Sequence, residues 1–600
     1  MDATSTGPRD EYPRRLDARR AAVTRDARAF DRIALARGIV FVAGVVWLVL
    51  TLSETLAASP AWAIAPAAIF VALMILHTRV ADRLTRSRRA VTYWETALAR
   101  LEGHWAGTGP TGERYRDPHH PYADDLDVFG PASLFQLICR ARTRLGEDTL
   151  AEWLARPADG ETVRARHAAL KELRNRIELR EELALLDAEV HDDLDQNRLA
   201  VWSREPARPI PVAQRAFAAV LGMAMVAAII AWLVFDAGLA PLLVVLVVES
   251  VFAFRYTGRL KESAKSVDEA ASGLAILAQV LELIERERFD SPRLARLRAQ
   301  LDTEGKPPSR HIARLHLLVE YLNNCLQNQF FAPLAFLLCL PAHFLHAVET
   351  WRARYGPRIV PWLDAVGEFE ALSALAGYHY EHPGDPFPEL LEGERRFVGE
   401  ALGHPLLAEE ECVRNDVSLG EGLQLLLVSG SNMSGKSTLL RTIGTNAVLA
   451  LAGAPVRAKS LGLTPLQVGT AMRIHDSLQE GTSLFFAVLG RLKAIVELSH
   501  EPRPLLFLLD EILQGTNSHD RRIGAEGVIR RLLDSNAFGL VTTHDLALTE
   551  IVESLGERAV NVHFEDHLED GRMTFDYRLR PGVVRRSNAL ELMRMMGLEV

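Results

Sequence analysis

Residues 423–438 read LQLLLVSGSNMSGKST. The run Leu423–Val428 is short and apolar, as a buried strand is, and Thr438–Leu451 carries a helical pattern. Between them Gly430, Ser431, Asn432, Met433, Ser434, Gly435, Lys436 and Ser437 match G-x-x-x-x-G-K-[ST]. Strand, glycine loop and helix form the context in which this spacing cradles phosphates. The glycines let the backbone curl so that its N–H groups face the anion, and the helix N-terminus adds a partial positive charge. Lys436 is placed to reach the β- and γ-phosphates of ATP, and Ser437 to offer its hydroxyl to Mg²⁺. The expected nucleotide contacts are therefore Gly430 through Ser437 and Thr438, which opens the helix.

Working outward, Leu505–Leu509 (LLFLL) reads as a buried parallel strand that runs into Asp510 and Glu511. A carboxylate at such a strand end can hold Mg²⁺ beside the loop, and its neighbour can polarise the attacking water. Asp510 takes the metal role with Ser437, and Glu511 the catalytic one with Lys436. A third apolar strand, Gly539–Thr542, ends at Thr543-His544-Asp545, which places His544 to sense the γ-phosphate.

GSNMSGKST (430–438), DEILQGTNSHD (510–520) and TTHDLALTE (542–550) resemble the ATPase domain of the MutS family of mismatch-repair ATPases. Asn432 and Met433 inside the loop, and Gly515-Thr516-Asn517-Ser518 after the acidic pair, are more specific than a generic phosphate loop. The resemblance implies an ABC-type α/β P-loop NTPase in which two chains dimerise over two nucleotides. In that family a serine segment of the second chain caps the γ-phosphate. The matching stretch here is Asp476–Phe486, with Ser483 as the contact. Family members carry a glutamate where this chain has Val488.

The chain has 600 residues and a formal net charge of −9, so it is not a broadly basic nucleic-acid binder, although a local basic groove is compatible with it. Cys139, Cys325, Cys339 and Cys412 stand far apart, which suits a reducing compartment rather than a disulfide framework or zinc site. In Asp117-Pro118-His119-His120-Pro121-Tyr122 the flanking prolines favour a turn over a metal-ligand pair.

Residues 1–37 read as a basic cytoplasmic tail, with eight arginines from Arg14 to Arg37. Apolar stretches at 38–52 and 57–76 follow, joined by a loop with Glu54 and no Lys or Arg. They form a transmembrane hairpin (38–78) with both ends cytoplasmic by the positive-inside bias. A second hairpin (211–258) holds apolar stretches at 216–235 and 238–254 around Asp236, flanked by Arg215 and Arg255. Glu249 inside its second half is costly in lipid and must face a helix or reach the interface. Phe330–Ala347, interrupted by Pro333, Pro341, His343 and His346, reads as core.

Between the hairpins, Asp125–Phe135 leads into a helix over Gln136–Arg144, and Val163–Leu186 reads as one charged amphipathic helix. The S-L-F run at Ser133–Phe135 is similar to the start of the MutS core. Phe369–Ala376 is similar to the family's last lever helix, and Arg414–Val417 matches the segment near the adenine. The organisation is therefore helical core 79–210, helical lever 259–385 and MutS-like ATPase domain 386–600, with His382–Pro386 as linker. The family's mismatch-reading domain has no counterpart ahead of Asp125, and a membrane hairpin stands where its DNA clamp is inserted.

These readings lead to a multi-pass protein of the inner (cytoplasmic) membrane, its ATPase domain cytoplasmic. It is expected to use ATP and Mg²⁺, to form a homodimer through its ATPase domains and to contact membrane lipid. Any DNA contact would lack mismatch specificity and come from residues such as Arg164, Arg166 and Lys171. The alternatives are an ABC-type transporter, which the absent L-S-G-G-Q signature disfavours, and an ATP-controlled membrane scaffold or DNA tether.

Overall fold

The computed structural model of the protein describes residues 7–53, 62, 64–186, 196–271, 274–301, 305–431, 433–473, 484–513, 518–569 and 572–584. The basic segment is no loose tail. It continues into the first apolar stretch as one 45-residue helix, α1 (Pro8–Leu52). Alanine and arginine are strong helix formers, and beyond Pro13, near its start, no Gly or Pro interrupts the helix up to Arg37. α2 (Ile64–Leu101) runs back along it, pairing Phe41 with Phe70, Phe30 with His77, Ser87 with Asp26 and Trp94 with Tyr12. The expected loop residue Glu54 lies outside the described residues.

The expected helix over Gln136–Arg144 is broken. Ser133 caps a short α3 (Leu134–Ile138), and Thr143 caps α4 (Arg144–Ala155). The residues between turn their N–H groups outward: Arg142 N and Thr143 N both donate to the buried carboxylate of Glu370. The single helix expected over Val163–Leu186 is likewise two, α5 (Gly160–Arg174) and α6 (Ile177–Ala184). Arg180 folds back to cap the carbonyls of Leu173 and Arg174, which ends α5. The proline-flanked histidines form a turn, with His120 Nδ1 accepting from Tyr122 N and Ala123 N.

After α7 (Gln196–Arg204) comes the second apolar pair, α8 (Val212–Phe235) and α9 (Ala240–Ala271). By length and composition α1, α2 and α8 could each cross a membrane, and α9 adds a shorter apolar stretch, Ala240–Phe254. Glu249 is fully buried against protein. α10 (Leu274–Arg286), α11 (Pro292–Gln300), α12 (Pro308–Gln327), α13 (Ala332–Leu337) and the 42-residue α14 (Leu340–Glu381) complete the helical part. The stretch expected as core splits: Ala335, Ala342 and Leu345 are buried, whereas Phe330 and Leu334 are exposed.

Beyond the linker the chain turns to α/β. A four-stranded sheet in the order β1-β5-β2-β3 holds β1 (Glu389–Leu390), β2 (Arg396–Leu402), β3 (Asn415–Gly420) and β5 (Ser460–Leu463). A six-stranded sheet in the order β12-β9-β4-β8-β7-β6 holds β4 (Leu425–Ser429), β6 (Gln467–Ala471), β7 (Leu505–Leu509), β8 (Ala537–Thr543), β9 (Ala559–His563) and β12 (Arg580–Pro581). All but β12 run parallel. Every residue of β4, β7 and β8 is buried, as central parallel strands covered on both faces require. α15 (Lys436–Ala452), α16 (Leu484–Leu498), α17 (Ser518–Leu533) and α18 (Ile551–Leu555) connect the strands, and β10 (Asp566–Glu569) pairs with β11 (Arg572–Phe575). One hydrophobic cluster runs from Phe135 and Leu154 of the helical part through Leu440 and Val448 of α15 to Phe538, so the two parts share a core.

Candidate nucleotide site

The site forms where β4, β7 and β8 end on one edge of the parallel sheet, the edge at which open α/β sheets bind ligands. β4 gives way at Ser429 to the glycine loop, and α15 begins at the lysine itself. Gly435 lies in the left-handed region (φ +101°), and a Cβ there would stand 3.0 Å from the Tyr577 ring, so both backbone and space call for glycine. Lys436 Nζ donates to the carbonyls of Gly430 at 2.9 Å and Ser431 at 2.8 Å. Its burial lowers its pKa below the usual lysine range, opposed by the charges of Glu511 and Asp510.

Ser437 Oγ donates to Asp510 Oδ2 at 2.6 Å. The other oxygen of Asp510 accepts from the hydroxyl of Thr542, on the neighbouring strand β8. The same Thr542 oxygen accepts the N–H of Glu511 at 3.1 Å. Glu511 is left-handed (φ 46°), a conformation that costs a non-glycine residue about 1–2 kcal/mol and here turns the side chain out of the strand line. His544 Nδ1 stands 3.1 Å from Glu511 Oε1. Lys436, Ser437, Asp510, Glu511 and His544, drawn from three segments, are thus brought together.

Lys436, Ser437, Asp510 and Glu511 border a cleft of about 700 Å³, whose other walls include Leu407, Val413, Phe564 and Tyr577. One end is polar and charged, the other apolar, as a nucleotide requires. The hydroxyls of Ser431 and Ser434 are buried in the loop with no hydrogen-bond partner, two groups that phosphate oxygens would satisfy. The residues present therefore fit ATP with Mg²⁺. Of the segment expected near the adenine, Asn415 lines the cleft and clasps Tyr577 O and Leu579 N, while Arg414 turns to Glu409. Asn432, Ser483 and Gly515-Thr516-Asn517 lie outside the described residues. Val488, at the position of the family glutamate, packs in the core with Leu492 and Ile495.

Reading the sequence missed Thr542, Phe564 and Tyr577. It also passed over Asp125, whose carboxylate accepts from Thr470 Oγ, Met472 N and Arg473 N and so ties the helical core to the end of β6. A profile of MutS domain V matches residues 426–599, which takes in the loop, the acidic pair and His544. Residues 426–599 thus match a MutS-type domain V. The chain is 32% identical over 262 residues to the DNA mismatch repair protein MutS of Geobacillus thermodenitrificans, covering 42% of this chain and 28% of that protein. It is 33% identical over 221 residues to the MutS of Roseiflexus sp., covering 35% and 20%. It is 32% identical over 231 residues to the endonuclease MutS2 of Thermomicrobium roseum, covering 35% and 28%. The chain thus matches less than a third of the length of these relatives.

One expected DNA contact is corrected. Arg166 is buried, with its guanidinium 3.6 Å from the centre of the Trp153 ring and donating to Ala452 O. It fastens α5 to the end of α15 and is not available to a phosphate. Arg164 is exposed beside Glu392, and Lys171 lies over Phe387.

Proposed function

We propose that this chain is a membrane-anchored MutS-type ATPase that works as a homodimer, closing its nucleotide sites between two ATPase domains and passing the change through the helical lever to the bilayer. The observation that carries the reading is the hydrogen-bonded chain Ser437–Asp510–Thr542–Glu511, which sets a metal-holding and a water-orienting carboxylate side by side at the mouth of the glycine loop. Mg²⁺-ATP, when bound, supplies the phosphoryl group transferred to water. Lys436 would leave its two loop carbonyls to neutralise the phosphates, and Ser437 with Asp510 would hold the metal. Glu511 would orient the water and take its proton, steadied by His544. Ser483 of a second copy is the proposed cap. The arginines that flank the apolar helices support a cytoplasmic-membrane location with the ATPase domain inside.

The test uses full-length protein purified in detergent. Lys436→Ala is expected to lose ATP binding. Glu511→Gln is expected to bind ATP and turn over ~10²–10⁴ more slowly, the usual loss when a general base is removed. Normal turnover by Glu511→Gln overturns the roles assigned here, and recovery of the untreated protein in the soluble fraction overturns the anchoring.

A further inference from the structure

α14 begins beside the middle of α8, and three approaches of α14 and the residue run just before it to the 203–222 stretch provide a depth scale. A Cβ on Gly356 would meet Ser203 O at 2.7 Å, and Glu349 accepts the N–H of Arg208 at 2.7 Å. Further along, a Cβ on Gly222 would meet Leu338 O at 3.1 Å. Each step toward the start of α14 is thus a step further along α8. Gly222 lies seven residues past Arg215, which is about 10 Å at the α-helical rise. α12 descends on the other side, where the Tyr321 ring stacks on Phe344 at 5.5 Å and Leu322 packs on Leu345.

What joins α12 to α14 is an elbow, residues 328–339. Asn328 Oδ1 accepts the N–H groups of Phe330 at 3.0 Å and Phe331 at 3.1 Å, so the tip satisfies its own backbone. Cys339, left-handed at φ 50°, breaks α13 from α14. Its inner side is packed: Cys339 and Ala342 cluster with Ala218 and Leu221 of α8. Its outer side is not. Phe330 is 95% exposed and Leu334 51%, and Phe217, Val220 and Met223 of α8 are exposed as well.

We propose that this elbow is a re-entrant wedge, which inserts Phe330, Leu334 and Phe336 among the acyl chains of the cytoplasmic leaflet beside α8. The proposal rests on the reading of α8 as a membrane span. The occupant follows from position: the elbow packs on Ala218 and Leu221 of α8, past Arg215, at a depth where interfacial elements bury their apolar side. Gln327, Asn328 and Gln329 set the limit. Amides are costly in hydrocarbon, so the wedge stops near the headgroup–acyl boundary and does not cross. α14 then links leaflet to ATPase domain in one helix of about 63 Å, because its last residue, Glu381, adjoins the linker.

The test is spin-label accessibility in proteoliposomes of phosphatidylethanolamine and phosphatidylglycerol. Phe330→Cys, Leu334→Cys and Val226→Cys, with Glu557→Cys as the aqueous reference, are made in a chain whose four native cysteines are replaced by alanine. Labels at 330, 334 and 226 are expected to relax faster with oxygen than with a water-soluble nickel chelate, and the label at 557 the reverse. Nickel preference at 330 and 334 with oxygen preference at 226 overturns the wedge and leaves α8 in the membrane. Access of neither reagent at 330 and 334 means that protein covers the elbow, and also overturns it. Nickel preference at 226 removes the membrane reading and the wedge together.

Discussion

At the scale of single residues, Thr542 organises the site although the motif it opens assigns it no role. Its hydroxyl donates to Asp510 and accepts from Glu511 N, so both carboxylates take their places from it. Thr542→Val keeps the shape and removes both bonds. An unsatisfied buried group costs about 1–3 kcal/mol, so turnover is expected to fall roughly tenfold or more while ATP affinity changes little. Steady-state hydrolysis alongside a binding titration measures this, and unchanged turnover would release Thr542 from the role. The lysine and the acidic pair were legible because fixed spacing after a strand leaves them few other uses. Thr542 was not, since nothing local distinguishes it from Thr543; only the parallel register of β7 and β8 brings it to Asp510. A second residue-scale prediction concerns His167 and His379, which flank Phe387 at 4.5 and 4.6 Å. Burial, reinforced by Lys171 and by the neighbouring Arg174 and Arg180, pushes both pKa values down to about 4. The unfolded chain takes up these protons near pH 6.5 and the folded one does not, so their contribution to stability is lost as pH falls from about 6.5 to 4. The double variant His167→Gln, His379→Gln is expected to show a shallower fall of Tm across that window, and an identical slope would locate the acid sensitivity elsewhere.

Among the elements, apolar length was legible and continuity was not. The stretches at 38–52 and 216–235 announce their helices by composition, but no local signal says that the arginines before Gly38 belong to the same helix. Nor could the sequence show the break at Cys139–Thr143, because Glu370, which receives the freed N–H groups, lies more than two hundred residues away. The same non-local logic docks the first hairpin. Glu181, 2% exposed, accepts from Arg19 of α1 at 2.7 Å and from Trp94 Nε1 of α2 at 2.9 Å, while Tyr12 and Arg140 meet at Glu381, the last residue of α14. The N-terminal end of α1 and the C-terminal end of α2 are thus fastened to the helical part beside the linker. Glu181→Leu strands the indole N–H and leaves Arg19 without its partner. Breaking a buried pair costs about 3–5 kcal/mol, less here because Arg19 is partly exposed, so a loss of about 2 kcal/mol is expected. The drop in Tm should be accompanied by faster limited proteolysis around Leu101. Unaltered stability would mean that the apolar cluster of Tyr12, Trp94 and Tyr380 docks the hairpin by itself.

On the scale of the whole molecule, the arrangement of parts decides what DNA could mean to this chain. Mismatch recognition needs an element that enters the duplex, stacks on a base and exploits the easier kinking at the defect. Among the described residues ahead of Asp125, the chain is given to α1, α2 and a short connection onto the core. The interval between α7 and α10 is given to the apolar pair α8 and α9, too apolar along its first forty residues to follow a phosphate backbone. Arg166 is spent on Trp153, which leaves side chains such as Arg164 and Lys171 for any contact. Such contacts are directed to phosphates, weaken with salt and carry no sequence information. A net charge of −9 gives no general attraction to offset that. Binding of a G·T heteroduplex and its perfect homoduplex is therefore expected to differ by less than about threefold, below the ~1–3 kcal/mol that a read base pair carries. Equilibrium titration of both duplexes at physiological salt, with and without ATP, measures the ratio. A tenfold preference for the heteroduplex would mean that a second copy, or the lever helices once closed by ATP, builds a reading element that these parts do not contain singly.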